Sequence, residues 1–536
     1  MRRIGAIFLF LLTGSIVIIS CKKNPTWDTN ILAPIINASM SVNDLVKGTS
    51  VKTNPDSSVT IVFSDSLYTL NMDSLLKIPD TSISNGLVMP LTTTINPGST
   101  IYPTQTTNTN YGVSSVQLKE AIIQSGFVKI EAMSTVPGKT DFTYSVPGAT
   151  LAGNPLNISI QVPAGTGSNP GDTIIIRQLN NYKIDFTGPS HNSYNLLSTT
   201  ISGILDPSDN PTVVNAGDSI HIKTTFYSII PYYGQGYFGE ITKSVGPSTS
   251  AFSLFNKFTS GTLSLQDIAV TFTLENGLGV DARATISQLT SINPRTGPPV
   301  SLLDATLINR AIDINAATQT YNPASPVTPT IQTFSIVPAS SNILNWIDNL
   351  PTSIGYGLQI TTNPLGNVSG SNNFAFNGYG IKAFFNISVP LALVANNLTL
   401  ADTVQVSFGN TANLKQLKSG TFTMYATNGF PFSAGMQIYL LDNTTHAIVD
   451  SLINPAQSIA AGTTNSNGIV ISPQNSTLTI PLDAYHTQLL FNTKTIVIMP
   501  RFNMNCPTCI PPYGKIYDYN HLTIKLVGNF DYQVKG

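Results

Sequence analysis

Apolar and polar residues alternate strictly in several stretches of this chain. Residues 58–63 read SVTIVF, 158–162 ISIQV, 219–225 SIHIKTT and 522–527 LTIKLV. A period of two sends successive side chains to opposite faces of a strand, so these stretches predict strands with one buried and one wet face, as in sandwiches. Loop signals lie between them: NPGST at 96–100, GTGSNPGD at 165–172 and NPASPVTPT at 322–330. Composition agrees. Of 27 acidic residues only Glu120, Glu131, Glu240 and Glu275 are glutamate, while Gly (39) and Pro (35) are frequent. Glutamate favours helices, and the abundant Ser, Thr and Asn favour strands, turns and caps. A hydrophobic fraction of 41% is enough to build a core. The expectation is an all-β protein of tandem β-sandwich-like domains with a few short helices.

An internal repeat organises the chain. SGFVKI at 125–130 resembles SGTLSL at 260–265 and SGTFTM at 419–424, and each follows an apolar-periodic segment that reads as a helix: SSVQLKEAIIQ, TSAFSLFNKFT and NTANLKQLK. Each glycine then stands where a left-handed helix cap is expected. Asn276-Gly277 and Asn428-Gly429 suit tight hairpins. A further helix is expected over SNILNWIDNL at 341–350, ended by Pro351. The expected divisions are a signal peptide at 1–20, an N-terminal β segment with a Thr-rich linker at 21–110, and β domains at 111–248, 249–408 and 409–536.

The amino terminus carries an address. Arg2 and Arg3 precede an uncharged apolar run over 4–19, then Ser20 and Cys21. This is the order of a secretory signal, and the run is shorter than the about 20 residues that span a bilayer. Ile18-Ile19-Ser20-Cys21 resembles a bacterial lipobox. The resemblance implies cleavage before Cys21, lipid on its sulfur (diacylglycerol) and on the new amino terminus (palmitate), and membrane anchoring without a spanning helix. Lys22 and Lys23 follow, with no Asp to mark inner-membrane retention, so the expected address is the outer membrane, at the cell surface or on the periplasmic face. The start CKKNPTWDTNILAPI and the end YNHLTIKLVGNFDYQVKG look like those of large uncharacterised Bacteroidota lipoproteins, a resemblance that implies no particular reaction. VTFTLENGLGVDARATI and GLQITTNPLG resemble the sandwich repeats of LEA14-type proteins.

Charge excludes one class of partner. Charged residues are 10% of the chain and net charge is −1; no basic field exists to hold a nucleic-acid backbone. Besides Cys21 the cysteines are Cys506 and Cys509, in MNCPTCIPPYG. A haem site needs His after the second Cys, where Ile510 stands, and a zinc site needs two more ligands. A redox pair needs a helix after the first Cys, which Pro511 and Pro512 oppose. A structural disulfide between Cys506 and Cys509 is the expectation, with a thiol oxidoreductase as the alternative. The five histidines (His191, His221, His446, His486, His521) sit in no HExxH, and no GxSxG frames a serine. Asp206, Asp209 and Asn210 in DPSDN suit either an Asx turn or a calcium loop. No cofactor is expected.

Two patterns remain. FYSIIPYYGQGYFGE at 226–240 gathers Tyr227, Tyr232, Tyr233, Tyr237 and Phe238 around Pro231 and three glycines. Read as a loop, it offers aromatics to stack on a sugar or anchor a partner; read otherwise, it covers the end of a sandwich. Asp followed by Ser or Thr and an apolar residue recurs at 65–67, 73–75, 172–174, 218–220, 402–404 and 450–452, resembling the O-glycosylation acceptor of Bacteroidota exported proteins, or marking turns that open strands. The functional expectation is a non-catalytic, lipid-anchored envelope protein that binds a glycan or a protein partner. The alternatives are an envelope carrier of lipid or another hydrophobic ligand, a hydrolase, or an oxidoreductase using Cys506 and Cys509.

Overall fold

The computed structural model describes residues 26–42, 50–113, 115–252, 255–256, 258–320, 322–405, 417–453, 457–493, 495–504 and 509–535. The described chain is nearly all β, and every strand pair between named strands is antiparallel. All four alternating stretches lie in strands, the first from Val59 on.

Twelve strands carry the architecture. Three come from the N-terminal segment: β1 (Thr26–Ser41), β2 (Val59–Asn71) and β3 (Thr81–Val88). A first unit contributes β4 (Gln117–Ser134), β5 (Gly171–Gln178) and β6 (Ser219–Tyr237). A second contributes β7 (Ala269–Asn276), β8 (Thr330–Ile336), the helix α1 (Ile343–Asp348) and β9 (Gly380–Pro390). A third contributes β10 (Leu417–Asn428), β11 (Gln474–Leu482), the helix α2 (Ala484–Asn492) and β12 (His521–Lys535).

These strands form one sheet order three times: β3-β6-β4-β5, β2-β9-β7-β8 and β1-β12-β10-β11. The N-terminal segment therefore makes no sheet of its own from these strands. It lends one strand to each unit, in reverse order. β1 pairs with the last strand of the chain (Asn30 opposite Asp531), β2 with the last of the second unit (Asn71 opposite Gly380), and β3 with the last of the first (Val88 opposite Ser219). Further strands at 282–292 and 353–362 pair in another sheet of the second unit, and in the third unit 433–435 pairs with 501–503 and 438–441 with 495–498 in two more. In the first unit the sheet continues through strands at 140–151, 196–205 and 100–110.

One corner recurs in all three units. After β7 the side chain of Asn276 is fully buried; its Oδ1 accepts from the Leu278 N–H (3.0 Å) and its Nδ2 donates to the carbonyls of Val280 and Asn315 (2.8 and 2.9 Å). After β10, Asn428 does the same with the Phe430 N–H (2.9 Å) and the carbonyls of Phe432 and Ala460 (both 2.8 Å). After β4 the position is Ser134, whose Oγ accepts from the Val136 N–H at 3.2 Å. The next N–H donates to the residue that opens the last strand of each unit: Thr135 to Ser219, Gly277 to Gly380 and Gly429 to His521, each at 2.9 Å. The side chain stands in for backbone partners at the turn, which in the second and third units takes the chain from one sheet to another.

Several expectations change. The two Asn-Gly pairs make no hairpin, because the strands on either side belong to different sheets. From Gln117 on, the segment expected to be a helix over 114–124 is the start of the continuous strand β4; pairing with β6 along its length outweighs the weak preference of an isolated eleven-residue helix. No helix occurs among the described residues of 249–259, and most of 410–418 lies outside the described residues. The glycines are then not helix caps. A Cβ on Gly126 would stand 2.6 Å from Ile229 Cδ1, and one on Gly420 2.5 Å from the Phe530 ring, so both serve close approach inside a strand. The expected helix within 341–350 is α1.

Candidate functional site

The aromatic run expected to be a loop is strand. Ser219–Tyr237 is uninterrupted, with bulges opposite β4 around Ile230 and Pro231 that absorb the proline and glycines. Tyr227 stacks on Phe127 across the β4–β6 pair, with centroids 5.4 Å apart. Tyr233 is 6% exposed and packs on Phe376 at 4.7 Å, while Tyr232 meets the same ring edge-on. Phe238 is fully buried and Tyr237 half-buried. Burial pushes the Tyr233 hydroxyl up to about 12, helped by the charge of Glu120. Phe376 belongs to a short strand, Asn373–Phe376, that the second unit adds to β6. Nearby, Lys119 donates to the Gly370 carbonyl and Asn372 Oδ1, and Ser371 donates to Gln117 Oε1. Tyr232 and Tyr233 are thus packing between the first two units, while Tyr227 packs within the first.

The other sequence candidates disperse. Cys21 and Cys506 lie outside the described residues, and Cys509 is buried at 3% exposure. In DPSDN, Asp206 Oδ1 accepts from the Ser208 N–H and Oγ, its Oδ2 accepts from Gln161, and Asp209 accepts from the Lys139 N–H. This is the Asx-turn reading, and the Ser208 hydrogen bonds hold the Asp206 carboxyl below its usual range. Among the described residues no group of three or more His, Cys, Asp and Glu could hold a metal. His486 lies between Asp483 (2.8 Å) and Asp450 (3.4 Å), at the N-terminus of α2 that Asp483 caps, and His191 pairs with Asp185 at 3.0 Å. Ser66, Ser74 and Thr403 of the Asp-Ser/Thr pattern are exposed; Thr173, Ser219 and Ser451 are partly covered.

A site appears instead where three distant segments meet. The Val59 N–H, opening β2, donates to the Ile516 carbonyl (3.2 Å). The Ile516 N–H donates to the Leu391 carbonyl (2.9 Å), and the Leu391 N–H donates back to the Val59 carbonyl (2.8 Å). This closed ring of three backbone bonds ties the N-terminal segment to the link between the second and third units and to the approach of β12. On one side lies a cleft of about 220 Å³, whose polar walls are Asp56, Ser58, Gln266, Asp267, Lys515 and Tyr517. On the other, sharing Leu391 and Ile516, lies an apolar cavity of about 60 Å³ among Phe255, Phe258, Phe432 and Phe502. The cavity has room for a few methylenes.

The cleft is pre-organised. Asp56 Oδ1 accepts from the Ser58 N–H (3.0 Å) and Oγ (2.7 Å), and these bonds, with a smaller effect of Lys515, hold its carboxyl below the usual range. Asp56 is therefore an ionised acceptor rather than a proton donor at neutral pH. Tyr517 is pushed up by burial first, then by Asp56 and Tyr519. Its ring stacks on Tyr519 at 5.3 Å and 20°, and Tyr519 is 53% exposed. No motif pointed here, because the contributing residues are separated by hundreds of positions and only the strand pairing joins them.

No family model matches the chain, and no curated protein matches it. Among solved structures, one described as a "putative secreted protein" from Parabacteroides distasonis aligns over 94% of this chain and 99% of its own, at 7% identity and a TM-score of 0.29. Infectious bursal disease virus, Gx strain, aligns at 9% identity over 91% of this chain and 81% of its own, with a TM-score of 0.09. Overlaps this shallow carry no argument about fold or function. No helix among the described residues is long and apolar enough to cross a membrane.

Proposed function

We propose that this chain is a non-catalytic binding protein held at the outer membrane by lipid on Cys21, with the cleft at the three-segment junction as its binding site. The carrying observation is the cleft itself: a mixed-polarity recess whose carboxylate Asp56 is stabilised in its ionised form. A general acid would need the opposite shift. The anchor rests on the positive, apolar and small-residue order that ends at Cys21. β1 begins at Thr26 beside Lys535 of β12, so both ends of the described chain lie in the third unit. Anchored through Cys21, that unit is nearest the membrane. Cys506 and Cys509 fit a disulfide pinning the loop before β12.

Protease shaving of intact cells, comparing wild type with Cys21→Ala, tests the anchor and the face. The anchored protein should stay with membranes and the Cys21→Ala variant should leave them. Digestion on intact cells marks the outer face; protection until the outer membrane is broken marks the periplasmic face. Retention of Cys21→Ala in membranes overturns the anchor.

A further inference from the structure

We propose that the junction cleft takes one neutral, polyhydroxylated ring, a sugar residue of a glycan. This rests on the cleft being the binding site and names its ligand class. Size comes first. At about 220 Å³ the cleft is below the about 300–1,000 Å³ of pockets that hold drug-sized molecules, and suits a single ring.

Charge comes second. Asp56 and Asp267 face the cleft with Lys515, two carboxylates against one ammonium. That balance repels a phosphate or carboxylate ligand. Lys515 in turn disfavours a simple cation. Carboxylate acceptors, an ammonium donor, the Gln266 amide and the Ser58 and Tyr517 hydroxyls together match a ligand whose every hydroxyl both donates and accepts.

Shape of the walls comes third. The walls also carry the apolar Val59, Pro390, Leu391 and Ala392, which suit the C–H faces of a sugar ring as the polar groups suit its hydroxyls. The stacked Tyr517–Tyr519 pair continues the wall outward to a half-exposed ring, a surface for such a face. The apolar cavity that shares Leu391 and Ile516 with the cleft holds about 60 Å³, too little for a lipid chain.

The test is saturation-transfer NMR and calorimetry on the full chain carrying Cys21→Ala. The probes are the methyl glycosides of glucose, galactose, mannose and N-acetylglucosamine, with glucuronate, inorganic phosphate and a fragment mixture in parallel. At least one neutral glycoside should bind with an affinity of the order of 1 mM. Tyr519→Ala and Gln266→Ala should each weaken it about tenfold without moving the thermal midpoint, since both side chains are exposed. Glycoside binding that ignores both substitutions overturns this site. A Tyr519-dependent signal from glucuronate, phosphate or an apolar fragment only keeps the cleft as a site and overturns the ligand class. No Tyr519-dependent signal from any probe overturns the ligand class and the cleft together.

Discussion

Single buried polar groups decide much of this fold. Asn428 satisfies one N–H and two carbonyls at a corner sealed from water. Asn428→Ala leaves all three unpaired and should cost about 2–4 kcal/mol, read as a lower denaturant midpoint at unchanged slope. Asn428→Ser, which installs the group used at Ser134, should recover part of that loss. Tyr233 behaves oppositely to the loop reading: as a buried ring against Phe376, its replacement by Ala should destabilise by about 2–4 kcal/mol, visible as a lower thermal midpoint. Asp348, on α1, carries a linkage. Burial raises its carboxyl from 3.8 to about 6. A raised folded-state value means that stability from this group is fully present below pH 4 and is lost as pH rises through 6. The full difference corresponds to about 3 kcal/mol, reduced to about 1–2 by partial solvent exposure. Asp348→Asn should therefore stabilise the protein at pH 7 and flatten its stability between pH 4 and 6; an unchanged pH profile rejects the assignment. The corner asparagines were visible in the sequence as Asn-Gly pairs. Their role was not, because a hairpin and a sheet-to-sheet corner use the same dipeptide.

At the scale of elements, alternation was reliable, while helical periodicity held at α1 and failed at β4. The 219–225 stretch alternates and is strand; LKEAII within β4 has apolar residues at helical spacing and is also strand. Its neighbours settle the matter, since β6 supplies a hydrogen-bond ladder along the whole length. The repeat was partly legible. Ser125 and Ser419 each stand nine residues before the corner, at Ser134 and Asn428, so those two strings are equivalent. Ser260 stands sixteen before Asn276, in a separate strand paired with residues 392–400. Sequence similarity had matched the wrong strand of the second unit. Gly420→Val should then be severe, at about 2 kcal/mol or more, because the Phe530 ring occupies the space a side chain needs. Circular dichroism melts of that variant, compared with Gly167→Val, where a side chain meets open space and φ is not positive, isolate the steric cost from the loss of glycine.

At the scale of the molecule, the N-terminal segment is a strap across three units. β1 and β12 pair over nearly their full lengths although hundreds of residues separate them. Deleting residues 26–41 should open the edge of β12 and drive self-association, detectable as higher oligomers in sedimentation, since an unpaired strand recruits another. A deletion variant that stays monomeric and equally stable would show that the strap is dispensable. Three independently melting domains are not expected, because each sheet borrows a strand from one shared segment. The all-β class and the turn-rich loops were determined by the sequence alone, because they follow from local periodicity and composition. Which strand neighbours which, the strap in reverse order, the burial of the aromatic run and the cleft at residues 56, 267 and 515 were decided only by the tertiary structure. Strand pairing joins residues without regard to their distance along the chain, and local pattern carries no record of the partner.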